Sequence, residues 1–85
     1  MPTIAEFNGI TIRIYYRPSE HPPPHFHAIY GDQQASYNID TLEMIAGNLR
    51  RAQRRAVTNW AESRRQELMT CWNLAMAGRN PGRIN

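Results

Sequence analysis

The spacing of apolar residues changes partway along this chain, and that change constrains the fold more than any other feature. Ile10, Ile12, Ile14 and Tyr16 recur at every second position, with Thr11, Arg13 and Tyr15 between them. A period of two puts the first set on one face of a strand and the second set on the other. From Leu49 to Asn80 no proline occurs and the apolar spacing becomes helical. Leu49, Ala52, Ala56 and Trp60 form one stripe, and Leu68, Cys71, Trp72, Ala75 and Met76 form another. The second stripe is turned by roughly a quarter of a revolution from the first, so one straight helix cannot bury both against a sheet. A break near Ser63 resolves this and gives two helices.

The remaining elements follow from turn chemistry. Asn8-Gly9 is a two-residue hairpin signal between Thr3–Phe7 and the strand that starts at Ile10. Arg17 to Pro24 is a polar, proline-rich connection. His25–Tyr30 and Gln33–Asn38 are strands joined at Gly31-Asp32, and Thr41–Ala46 is a fifth, ending at Gly47. Asn48 is the expected helix N-cap, and Gly78 with Asn80-Pro81-Gly82 ends the second helix. The expected fold class is α+β: a small, mainly antiparallel sheet of four to five strands in the N-terminal half, packed against two C-terminal helices. Residues 1–47 hold the strands and hairpins, 48–78 the helices and 79–85 a tail, all in one domain. Trp60, Trp72, Leu68, Ile12, Ile14 and Ile4 are the expected core.

With 85 residues and 41% hydrophobic composition, the chain lies near the lower size limit for a self-sufficient core. Homo-oligomerisation or a partner is one route to extra stability. The single cysteine, Cys71, rules out an internal disulfide and reads as an inert core thiol in a reducing compartment. No segment has transmembrane length, and Met1 to Glu6 lacks the basic and apolar regions of a signal peptide. A soluble, cytoplasmic protein is expected.

Charge is unevenly spread. Residues 1–49 carry two arginines and five acids, a net −3; residues 50–85 carry eight arginines and two acids, a net +6, which together give +3. No basic residue is lysine. Arg50 and Arg54, like Arg51 and Arg55, lie four apart on the first helix with no acid within the run. Such a face suits phosphates or an acidic protein surface, and it also fits a plain solvated helix face.

All three histidines fall within His21-Pro22-Pro23-Pro24-His25-Phe26-His27. His25 and His27 are two apart on a strand, so both rings project from one face with Phe26 opposite. Three readings compete. Metal-free acid–base chemistry on RNA needs a base for the 2′-hydroxyl, an acid for the leaving oxygen and a cation on the phosphate; His25 and His27 suit the first two roles, and Arg13, with Tyr15, shares their face if the strands pair suitably. This route calls for no cofactor. A divalent metal is the second reading, with His21, His25 and His27 as ligands and a fourth position open. In the third, the rings are structural, bonded to backbone and packed on Phe26 or Tyr30.

The opening Met1-Pro2-Thr3-Ile4, the strand Ile12-Arg13-Ile14-Tyr15-Tyr16 and the segment from His21 to Gly31 resemble domain-of-unknown-function family 4160. Gly47-Asn48-Leu49, Trp60-Ala61-Glu62, Glu67-Leu68 and Trp72 also fit, so the resemblance covers nearly the whole chain. Pro22 departs from the usual pattern and leaves the histidines undisturbed. Members are small prokaryotic proteins, often encoded beside another small protein, and some are described as DhiT-type toxins of type II toxin–antitoxin pairs. The resemblance implies a toxin-like component acting on RNA or translation, neutralised by a neighbour-encoded antitoxin-like protein. Positions matching the motif are His21, His25, His27, Arg13, Tyr15 and Tyr30. It implies no established catalytic residues, so whether the chain is an enzyme stays open. The alternative is a non-catalytic module that docks a partner through Arg50, Arg51, Arg54 and Arg55, and a third is a metal-binding protein.

Overall fold

In the computed structural model, which describes residues 3–16 and 22–84, the N-terminal half forms one antiparallel meander. Its strands are β1 (Thr3–Phe7), β2 (Ile10–Arg13), β3 (His25–Tyr30), β4 (Gln33–Asn38) and β5 (Met44–Asn48), arranged in sequence order. Two helices follow, α1 (Arg51–Glu62) and α2 (Arg65–Met76). The expected α+β architecture is the one observed.

Local chemistry accounts for the meander. Asn8 and Gly9 both take positive φ, 50° and 76°, which is what a type I′ turn requires to match the twist of the flanking strands. Phe7 therefore faces Ile10. Gly31, at φ 60°, turns the chain so that Tyr30 faces Gln33. A register shift between Thr3 and Ala5 places two successive residues, Ile4 and Ala5, in the core. The β3–β4 ladder continues past the strands through the Ile39 N–H, which donates to the Pro24 carbonyl.

One face of the sheet carries Ile10, Ile12, Phe26, Ala28, Ala35 and Tyr37, all buried. The α1 helix lies on this face. Trp60 stacks on Phe7 with centroids 4.9 Å apart and meets Phe26 edge-on at 6.4 Å. Phe26 in turn stacks on Tyr37 at 5.5 Å. The chain breaks where expected: α1 ends at Glu62, with Ser63 as its C-cap. Arg64 secures the break by donating to the Trp60 carbonyl at 2.8 Å while its guanidinium sits over the Trp60 ring.

The second helix buries Leu68, Cys71, Trp72 and Ala75 of the stripe read from spacing, and Met76, its fifth member, is only partly buried. It closes on Gly78, φ 75°, where the Arg79 and Gly78 N–H groups donate to the Leu74 and Ala75 carbonyls, a Schellman ending. The following tail returns to the sheet. Ile84 donates its N–H to the Ile4 carbonyl at 2.6 Å, and Arg83 pairs with Glu6 at 3.2 Å.

Four expectations need correction. Asn48 is the last residue of β5 and not a cap; the N-cap is Arg50, with no capping side chain. The fifth strand is Met44–Asn48, because Leu42 turns the chain at φ 61° and is itself buried. The first helical stripe is also shifted. Val57 and Ala61 are the buried residues of α1, while Ala52 is exposed and Leu49 is buried ahead of the helix. Trp60 is half-buried at the core margin. No helix among the described residues is long and apolar enough to cross a membrane.

Candidate functional site

The other face of the sheet carries the site. Cross-strand register fixes it: Thr3 faces Arg13, Arg13 faces His27, and His27 faces Ser36. Facing residues on neighbouring strands share a side of the sheet, so these four form a row across β1 to β4. The Arg13 Nε donates to Thr3 Oγ1 at 3.4 Å, and His27 Nδ1 lies 3.1 Å from Ser36 Oγ. Each end of the row thus braces the charged or titratable group beside it.

Along the strand direction, rings continue the arrangement. Tyr15 lies edge-on to His27, with centroids 4.5 Å apart; His27 and His25 are 5.1 Å apart, and His25 and Trp72 are 5.0 Å apart. Tyr15, His27, His25 and Trp72 therefore run in contact toward the sheet end covered by α2. The two imidazoles differ in setting. His27 is half-buried, whereas His25 is only 9% exposed. His25 Nδ1 lies 2.7 Å from the Pro23 carbonyl; since a carbonyl only accepts, Nδ1 carries the proton. That bond survives in both the neutral ring and the imidazolium.

Arg13, Tyr15, His25 and His27, chosen from strand alternation, thus come together. Tyr30 does not join them. It has the strand parity of Phe26 and Ala28, packs against the core, and its ring lies where a side chain on Gly9 would press. His21 lies outside the described residues. Among those described, no three His, Cys, Asp or Glu side chains are grouped to hold a metal ion. The backbone bond and aromatic packing of His25 are features of the structural reading, and they coexist with the half-buried setting of His27.

Arg50, Arg51, Arg54 and Arg55 are exposed, but they stand on α1, which covers the Phe26 face. The basic helix and the imidazoles occupy opposite sides of the sheet. Sequence reasoning missed Ser36, Pro23 and Trp72. Ser36 was within reach, because a two-residue turn at Gly31-Asp32 that pairs Tyr30 with Gln33 also pairs His27 with Ser36. Trp72 carried no such signal, since its approach depends on how α2 crosses the sheet.

A five-stranded meander with α1 on one face, an arginine–imidazole row on the other and α2 closing the end beside His25 defines a small α+β domain with a polar, half-exposed face. Residues 9–73, well over half of the chain, match the family model described as Domain of unknown function (DUF4160). The chain belongs to that family. No curated protein and no solved structure matches it.

Proposed function

We propose that the open sheet face is a metal-free acid–base site for RNA, and that the chain is the toxin-like component of a toxin–antitoxin module. The observation that carries this is the in-register Arg13–His27–Ser36 row with Tyr15 against His27. An arginine beside an imidazole supplies the two things phosphodiester cleavage needs at one point, charge on the phosphate and a proton acceptor near neutral pH.

In this scheme His27 takes the proton of a 2′-hydroxyl, whose oxygen then attacks the adjacent phosphorus. Arg13 holds the non-bridging oxygens as charge develops on them. The P–O5′ bond breaks, and the leaving oxygen receives a proton from His25, which can carry one on each ring nitrogen while keeping its Pro23 bond. Ser36 orients His27, and Tyr15 limits the ring's rotation. The antitoxin-like partner is a small protein encoded beside this chain.

Induced expression in a bacterial host tests the reading. The native chain should arrest growth and shorten cellular RNA. Folded His27→Ala and Arg13→Ala proteins should do neither. Full growth inhibition by a folded His25→Ala/His27→Ala double variant would overturn the chemistry, and no arrest by the native chain would overturn the toxin assignment.

A further inference from the structure

The N-terminal end of α1 is built against its own electrostatics. A helix N-terminus carries partial positive charge and is stabilised by acids or by a capping oxygen. Here the N-cap is Arg50 without a side-chain cap bond, the first turn has no acid, and Arg50, Arg51, Arg54 and Arg55 crowd the first turn and a half. All four are exposed, and none forms an ion pair among the described residues. Four cations at the positive end of a helix repel one another and the dipole, so an anion seated there relieves a strain that the free protein bears.

The surroundings say what kind of anion. The Arg50 N–H donates to Gln33 Oε1 of β4 at 3.2 Å, and β5 ends at Asn48 just ahead of α1, so the arginine end of the helix lies at the β4–β5 side of the sheet. The two sheet edges are unlike. β1 is engaged by Ile84 of the tail, whereas β5 is the last strand, and Ile45, Ala46, Gly47 and Asn48 are exposed. Ile45 has no partner in the β4 ladder and, at 47% exposure, is the one large exposed hydrophobic residue among those described. A bare strand edge and an isoleucine offer nothing to a phosphate backbone, but they suit an extended peptide. A second copy of this chain fits poorly, because the strand it would offer, Met44–Asn48, carries no carboxylate for the arginines.

We infer that the β5 edge and the arginine end of α1 form one docking surface for an extended acidic segment of a partner protein, which adds beside β5 and sets its carboxylates on Arg50, Arg51, Arg54 and Arg55. This surface lies on the opposite side of the sheet from His27 and stands independently of the RNA reading.

Binding of two labelled probes to the full chain at near-physiological ionic strength tests the inference: a twelve-residue peptide alternating Glu and Val, and oligouridine of the same length. The peptide should bind the tighter, and amide exchange across Met44–Asn48 should slow when it does. Arg51→Glu/Arg54→Glu should weaken the peptide at least tenfold while raising the Tm of the free protein, and Arg51→Gln/Arg54→Gln should move both quantities the same way by less. Tighter binding of oligouridine, undiminished peptide binding by these variants, or exchange in β5 that the peptide leaves unchanged would each overturn it.

Discussion

Tyr37 is 3% exposed, and its hydroxyl is buried without a hydrogen-bond partner among the described residues. An unsatisfied buried hydroxyl costs about 1–3 kcal/mol, while the ring itself is well placed, stacked on Phe26. Tyr37→Phe keeps the ring and removes the orphan, so it should raise unfolding free energy by about 1 kcal/mol, as read by urea denaturation. Burial also pushes the Tyr37 phenol above its ordinary 10.0, with Arg54 pulling weakly the other way. Burial and, secondarily, Glu67 push the Cys71 thiol above 9.0. Both groups then hold their protons in the fold at pH values where the unfolded chain has lost them. Their stabilisation is complete below the ordinary values and is lost as pH rises through the folded ones. The urea midpoint should therefore fall above about pH 9, and Cys71→Ala together with Tyr37→Phe should flatten that decline. The same raised thiol agrees with reading Cys71 as a core residue, not a nucleophile.

At the scale of elements, the helices separate what spacing reveals from what packing selects. The stripe on α2 was legible because Leu68, Cys71, Trp72 and Ala75 recur at helical spacing along the helix. On α1, alanines at 52, 56 and 61 and the residues Val57 and Trp60 allow two overlapping stripes, and only the angle at which the helix meets Phe7 and Phe26 chooses between them. Val57→Ala should accordingly cost about 2 kcal/mol, whereas Ala52→Ser should leave the thermal midpoint nearly unchanged. In β5, Gly47 takes φ 75° and a side chain there would run into the backbone carbonyl of Gln34. No flexible group can yield, so Gly47→Ala should lose about 3 kcal/mol or more and detach β5 from β4, which rising amide exchange in Gln34–Tyr37 would report. The β3–β4 hairpin shows the opposite case: its register, and with it the His27–Ser36 contact, is set locally by a glycine turn.

For the whole molecule, the sheet acts as a partition. Its helix-covered side carries the arginine end of α1, and its open side carries Arg13, Tyr15, His25 and His27. Changes on one side should leave the other untouched: Arg51→Glu/Arg54→Glu should not move the His27 ring resonances, and His27→Ala should not alter binding of the acidic peptide. Coupled effects in either direction would mean that the sheet transmits between its faces. The chain's own sequence determined the hairpins at Asn8-Gly9 and Gly31-Asp32, the break at Ser63, the end at Gly78 and the sharing of one face by His25 and His27, because turns, alternation and helix endings are set by neighbours within a few residues. Only the tertiary structure decided that Arg13 lies beside His27, since a long proline-rich connection separates β2 from β3 and no short turn transmits register across it. It likewise decided that Trp72 closes over His25, that the tail engages β1, and that the basic helix faces away from the imidazoles. Those outcomes depend on the direction from which a helix or tail approaches the sheet, a quantity that side-chain packing sets and local sequence does not encode.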